Sequence, residues 1–331
     1  MPLSEPPPIL PEPRPCLAVV IVNYNSWPDV ERLVAALGVA PEVRDGRARV
    51  VVVDNASPDP MPEGLRSLPE GVTLVARAEN GGFAVGVNAG WLAARGCWVL
   101  VLNPDVVADS GLVADVMRRV ERFEAEGADP PGIVGFGLRN PDGSPQPSVG
   151  SFPTLLRTVW EQLIPRSRRK YQPDWRVRAG PVPWVTGACV LLNPRMLDDV
   201  GGMDEDFFLY YEEVALCRST WDKGWRVEYD PSISVVHLRP LQNRAISPKM
   251  RVITRHSKLL YFRKHLPRGQ FLALVGIVRT EAAIRGAWAN ALGRDVDVRA
   301  WRAIDAIARR LRAGDDLGGR AVLALAEEAT G

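Results

Sequence analysis

A chain of 331 residues, 46% apolar and 24% charged, is large enough for one sizeable α/β domain with an appendage and too apolar to be disordered throughout. Its net charge of +2 hides an asymmetry: residues 239–331 hold 18 Lys/Arg against 8 Asp/Glu, and the remainder of the chain stands at −8. The four cysteines (Cys16, Cys97, Cys189, Cys217) form no CxxC pair, which argues against a cysteine metal site and predicts buried free thiols in a reducing, cytoplasmic setting.

The first 15 residues carry seven prolines and no apolar signal core, which predicts a disordered or polyproline arm. Residues 17–22 and 50–53 are short β-branched apolar runs and read as strands buried on both faces. Between them Val30, Leu33, Val34 and Leu37 recur at helical spacing behind Pro28, with Gly38 as the stop. Strands at 72–76 and 98–102 flank a helix over 83–95. A helix over 111–126 and a strand over 133–136 continue the alternation, which predicts a mostly parallel sheet with helices on both faces. Loop residues 140–150 precede a helix over 155–163 and a basic loop over 166–170. A strand over 185–192, helices over 194–200 and 212–223, and strands over 225–229 and 234–237 follow. From Ser247 onward the pattern is helical. The apolar run at 271–278 is too short to span a bilayer.

In an open α/β sheet, ligands bind beyond the carboxyl ends of the strands. Four successive strand ends here are small and polar: Asn23-Tyr24-Asn25, Asp54-Asn55-Ala56-Ser57, Asn80-Gly81-Gly82-Phe83 with Asn88, and Asn103-Pro104-Asp105. Amides and carboxylates bind base edges and ribose hydroxyls, and glycines admit a phosphate. Neither a Gly-x-Gly-x-x-Gly fingerprint nor a Walker A loop occurs, so the ligand expected is a mononucleotide.

These segments, with Trp184-Val185-Thr186-Gly187-Ala188, Gly201-Gly202-Met203-Asp204-Glu205-Asp206, Tyr211-Glu212-Glu213 and His237, resemble glycosyltransferase family 2 over roughly residues 17–265, most closely its rhamnosyltransferase branch. The resemblance implies a GT-A fold, a nucleoside-diphosphate sugar donor and inversion at the anomeric carbon. It divides the chain into a catalytic domain over 16–240, with a nucleotide-binding half (16–110) and an acceptor half (111–240), and a basic helical region over 241–331. It assigns the donor to Asn23, Tyr24, Asn25, Asp54, Asn80, Gly82, Phe83, Asn88, Asn103 and Asp105. Mg²⁺ or Mn²⁺ is expected on Asp105 and His237, where the family's usual first aspartate is replaced by Asn103. Glu213 takes the place of the catalytic base, with Glu212 the alternative. Trp184, Gly187 and Asp204, with His256 in the basic helix, are expected on the acceptor side. dTDP-L-rhamnose is the favoured donor, and a UDP-sugar the alternative. A glycan or a polyprenyl-diphosphate-linked sugar is the expected acceptor.

Two other classes compete. A nucleotidyltransferase would need a Gly-rich, Arg/Lys-bearing loop after the first strand, where Asn23-Tyr24-Asn25-Ser26 stands. A non-catalytic nucleotide-sugar-binding descendant fits the departures at Glu213, where the family has Asp, and at Ala215, where an acid is common. Residues 239–280 hold ten Lys/Arg and no acid, placing Arg244, Lys249, Arg251, Arg255 and Lys258 where a diphosphate or an anionic membrane would meet them. The stripe Trp301, Ile304, Ile307 and Leu311 predicts an interfacial helix or one packed on the protein or a second subunit in a homodimer. Nucleic acid is not expected as a partner.

Overall fold

The computed structural model describes residues 17–125, 127–161, 178–239 and 245–331. The proline-rich arm, Cys16, the basic loop 166–170 and Arg244 lie outside the described residues.

The first strand, β1 (Leu17–Asn23), is buried at all seven positions. Helix α1 (Trp27–Leu37) starts with Pro28 in its first turn and buries the expected Val30, Leu33, Val34 and Leu37. A short α2 (Pro41–Arg44) leads into β2 (Ala48–Asp54) and β3 (Val72–Ala76). Helix α3 (Phe83–Ala93) lies against β1 so closely that a side-chain carbon on Gly90 would sit 2.3 Å from Val20 Cγ1. Then come β4 (Trp98–Leu102), β5 (Val106–Val107), α4 (Gly111–Phe123), β6 (Ile133–Arg139), β7 (Pro145–Gln146), β8 (Val149–Gly150), α5 (Leu155–Glu161) and β9 (Gly180–Pro181).

The expected strand over 185–192 is two strands, β10 (Trp184–Val185) and β11 (Cys189–Leu192), because Thr186-Gly187-Ala188 leaves the ladder to line a cleft. After α6 (Pro194–Val200) and α7 (Glu212–Asp222), the two expected strands over 225–229 and 234–237 are one, β12 (Val227–His237). Its register shifts between Asp230 and Ser234, where Pro231 has no N–H to give the ladder.

The main sheet runs β3-β2-β1-β4-β11-β6-β12-β5. The first four strands are parallel, β11 enters antiparallel between β4 and β6, and β12 runs parallel to β6. This mostly parallel sheet between helices is the expected α/β class. Because β11 is reversed, its leading residues Gly187 and Ala188 arrive at the carboxyl end of β4, and Asn103 N donates to Ala188 O at 3.0 Å.

Four helices follow: α8 (Pro248–His265), α9 (Arg268–Ala291), α10 (Asp295–Ala313) and α11 (Gly319–Thr330). Ser247 caps α8 by accepting from Met250 N, with Pro248 next. One apolar cluster runs unbroken from Val20 and Trp184 in the sheet to Tyr261, Ile304 and Leu311 in these helices. Trp301, Ile304, Ile307 and Leu311 are therefore the packing face of α10. Lys249 pairs with Glu327, Arg251 with Asp297 and Arg255 with Glu281, so three of the cations expected near a diphosphate knit the helical region together instead. No helix among the described residues is long and apolar enough to cross a membrane. Cys189 and Cys217 are buried free thiols, but Cys97 is disulfide-bonded, against the expectation for all four cysteines.

Candidate active site

A cleft of about 570 Å³ opens at the carboxyl ends of β1 and β4, facing Thr186-Gly187-Ala188 and the start of α7. Of the expected donor residues, Tyr24, Asn25, Phe83, Asn103 and Asp105 line it. Asn23 lies beneath, fully buried. Its amide donates to Asp54 Oδ1 (2.9 Å) and Ser57 Oγ (3.1 Å), and its Oδ1 accepts from Ser26 N (3.0 Å). Asn23 and Asp54 thus shape the loop that presents Tyr24 and Asn25, the latter left-handed at φ 55°.

The glycine loop is built against protein. Asn55, read in the sequence only as part of the second polar strand end, is buried and donates to Asn80 Oδ1 and Gly82 O, both at 2.9 Å. Gly82 has φ 93°, and a side-chain carbon there would sit 2.2 Å from the Phe208 carbonyl oxygen. Phe83 N donates to that same oxygen at 2.9 Å. Asn88 is buried, accepting from Met203 N (2.8 Å) and donating to Met203 O (2.8 Å) and Glu205 Oε1 (2.9 Å). Gly82 and Asn88 were expected on the donor. Their contacts are with the 202–208 segment, and neither lines the cleft.

Three expected acceptor residues also fall elsewhere. Trp184 is buried in the core with Nε1 donating to Ser151 O at 3.0 Å. Asp204 pairs with Lys264 at 2.7 Å. Burial lowers the Lys264 pKa, but its hydrogen bonds to Asp204 and Asp206 outweigh this and leave it raised. His256 is fully buried, its Nε2 donating to Leu317 O at 2.6 Å. Burial pushes its pKa down to about 4, so it is neutral. Gly187 alone of that set lines the cleft.

Asp105 and His237 do meet. Pairing of β5 with β12 in the register His237↔Val106 sets Asp105 Oδ1 3.3 Å from His237 Nε2. Gln146 Oε1, which can only accept, lies 2.7 Å from His237 Nδ1. Nδ1 therefore donates to Gln146, which leaves Nε2, the nitrogen facing Asp105, as the one that would hold a metal ion. Among the described residues no three His, Cys, Asp or Glu gather to hold a metal. The pair suits an ion that takes its other oxygens from a bound diphosphate and water.

Arg239 faces the same carboxylate, its Nε 3.5 Å from Asp105 Oδ2, and also pairs with Asp29 in the first turn of α1. The Asp29 hydrogen bond outweighs partial burial and raises the Arg239 pKa. Asp29, Gln146, Tyr210 and Arg239 all line the cleft, yet their sequence context gave little signal. Only the two-residue distance of Arg239 from His237 pointed there.

Glu212 and Glu213 line the same cleft from the amino end of α7. Both are mostly buried, at 4% and 8% exposure. Before them Tyr210 (φ 66°) and Tyr211 (φ 70°) are both left-handed, a conformation that costs a non-glycine residue roughly 1–3 kcal/mol. Tyr211 is held by Tyr261 of α8 at a ring distance of 5.7 Å. The strained pair turns the chain so that α7 starts with its carboxylates at the cleft.

The mostly parallel sheet with its reversed β11 and a cleft at the strand ends is the GT-A architecture. The family model for glycosyl transferase family 2 matches residues 18–201, and the chain belongs to that family. A relative from Mycobacterium tuberculosis, N-acetylglucosaminyl-diphospho-decaprenol L-rhamnosyltransferase, is 31% identical over 243 residues, 67% of this chain and 75% of that protein. The low-salt glycan biosynthesis hexosyltransferase Agl10 of Haloferax volcanii is 23% identical, covering 68% of each chain. The crystal structure of S. aureus TarS 1-349 in complex with UDP has the same fold, with a TM-score of 0.50 at 15% identity over 95% of this chain and 91% of that one.

Proposed function

We propose that this glycosyltransferase moves L-rhamnose, with inversion, from dTDP-L-rhamnose to a hydroxyl of a polyprenyl-diphosphate-linked sugar, with Glu213 as base and a divalent ion at Asp105 and His237. The observation that carries this reading is that Asp105, His237 and Glu213 share one cleft. The rhamnosyl donor and lipid-linked acceptor draw support from the name of the mycobacterial relative.

The acceptor oxygen attacks the anomeric carbon as the bond from that carbon to the diphosphate oxygen breaks. The electron pair leaves on the diphosphate, and the hydroxyl proton passes to the Glu213 carboxylate. When bound, Mn²⁺ or Mg²⁺ supplies positive charge to the departing diphosphate. Asp105 and His237 would hold that ion, and Gln146 keeps the His237 lone pair available to it. Arg239, on the same side, adds fixed positive charge. Tyr24 and Asn25 frame the nucleotide.

Purified enzyme is incubated with dTDP-L-rhamnose or UDP-sugars, a polyprenyl-diphosphate-linked N-acetylglucosamine and Mn²⁺, and the products are weighed by mass spectrometry. A deoxyhexose added from the dTDP donor is expected. Transfer from a UDP-sugar alone would overturn the donor, and transfer only to a soluble glycan would overturn the acceptor.

A further inference from the structure

Helix α9 buries one side, through Phe271, Leu274, Val275, Val278, Ala282 and Ala289. Its opposite side faces solvent and, apart from Thr280, Arg285 and Asn290, is mostly apolar or small. Leu272 is 38% exposed, Ile284 65%, Trp288 68% and, just beyond the helix, Leu292 48%. Ala283, Ala287 and Ala291 fill the positions between. A soluble face would carry Lys or Glu there. From Arg268 to Arg294 the single acid is Glu281, which is engaged by Arg255 (2.8 Å) and Arg285 (3.0 Å).

Arginines border this face on both flanks. On one, Arg279, Arg302 and Arg309 line a groove with Gly276, Ala283 and Ala287 against a single acid, Asp305, which pairs with Arg279 and Arg309 at 2.8 Å each. On the other, a cavity of about 250 Å³ is lined by Arg251, Arg255, Arg285 and Arg294 against the two acids Glu281 and Asp297. Trp288 lines both that cavity and the apolar hollow formed with Ile284 and Ala291. Helix α5 joins the surface, since Leu155 N donates to Gln270 Oε1 of α9 at 3.1 Å. It adds Leu156 at 82% and Trp160 at 61% exposure.

We infer that the outward side of α9, with α5 beside it, is a docking surface for an anionic lipid bilayer. An apolar strip rich in tryptophan between two rows of arginine is what an interfacial helix presents. The rings enter the headgroup boundary while the arginines in excess of Glu281, Asp297 and Asp305, Arg294 and Arg302 among them, reach the phosphates. A second copy of the chain suits the face less well, because a twofold contact would set like rows of arginine against each other. The site is close to the chemistry. Ile246, on the rim of the arginine-lined cavity, is seven residues beyond Arg239 of the cleft, and that much chain reaches at most about 25 Å. The charge and exposure of α5, α9 and the arginines beside them on α8 and α10 carry this surface, which stands or falls separately from the choice of donor.

The full chain is sedimented with phosphatidylglycerol-containing vesicles and with pure phosphatidylcholine vesicles, at low and high salt. Binding to the anionic vesicles alone, released by salt, is expected. Ile284→Ser with Trp288→Ser, and separately Arg285→Gln with Arg294→Gln, should each weaken that binding about tenfold or more. Nucleotide binding by calorimetry should stay unchanged in both, which establishes that they are folded. Equal, negligible binding to both vesicle types at low salt would overturn the inference. So would variants that bind like the parent, or a dimer in sedimentation velocity that the Ile284/Trp288 variant dissociates while vesicles are ignored.

Discussion

Asp105 and His237 are brought to 3.3 Å by two residue pairs of antiparallel ladder between β5 and β12. The contact therefore depends on strand register. Preformed ligands hold an ion with little reorganisation. We expect Asp105→Ala and His237→Ala each to abolish most sugar transfer and to weaken Mn²⁺ binding in calorimetry. Both side chains lie at the cleft, so melting temperatures should move little. Full turnover of metal-stripped enzyme in EDTA would refute a metal on this pair.

Glu213→Gln keeps the shape of the side chain and removes the proton acceptor. Its kcat should fall by roughly 10²-fold or more, while the dissociation constant for the nucleotide changes little. Glu212→Gln, at the same wall of the cleft, is the control. If it carries the larger loss and Glu213→Gln turns over normally, the base is Glu212.

Asn88 gives a contrasting case. Removing its amide leaves the Met203 N–H and carbonyl buried without their partners, at a cost of about 1–3 kcal/mol per group. Asn88→Ala should therefore lower the melting temperature. In whatever fraction remains folded, the Michaelis constant for the donor should be close to the parent's. A large rise in that constant with an unchanged melting temperature would return Asn88 to the donor site.

Burial shifts His256 from the ordinary 6.5 down to about 4. The unfolded chain then binds more protons than the folded one between those two values. Stability is complete above about pH 6.5 and is lost as pH falls toward 4, by about 3 kcal/mol across the window. His265, also pushed down by burial, acts in the same direction. Urea titrations at pH 7 and pH 4.5 should show His256→Gln losing less stability between the two than the parent does. Equal losses would mean that His256 is protonated in the fold.

Much of this architecture was legible because unbroken apolar runs such as residues 17–22 have no other stable place than the middle of a sheet. Strand direction was not legible. Cys189–Leu192 is just as apolar whether it runs parallel or antiparallel, and its pairing with both β4 and β6 is decided by chain connectivity. The cleft was readable at Asn103-Pro104-Asp105, Glu212-Glu213 and His237 through resemblance to known transferases. The departures at Gly82, Asn88 and His256, which contact protein and do not line the cleft, share one cause. A small or polar residue at a strand end, or a histidine in a helix, looks the same in sequence whether it meets a ligand or another loop. Only the packed chain reveals that Phe208, Met203 and Leu317 are the partners. Asp29 and Gln146 were invisible for the converse reason, since their neighbours in the cleft are far away along the chain.

The contact between Gly82 and the Phe208 carbonyl has a consequence for how such enzymes diversify. The donor half and the 202–208 segment are fitted backbone to backbone there, with no side chain between them to absorb a mismatch. Recombination that exchanges the first hundred residues between relatives would import a loop cut for a different counterpart. Under the function proposed above, a new donor preference is therefore more accessible through point changes at cleft residues such as Tyr24, Asn25 and Asn103 than through swapping whole halves.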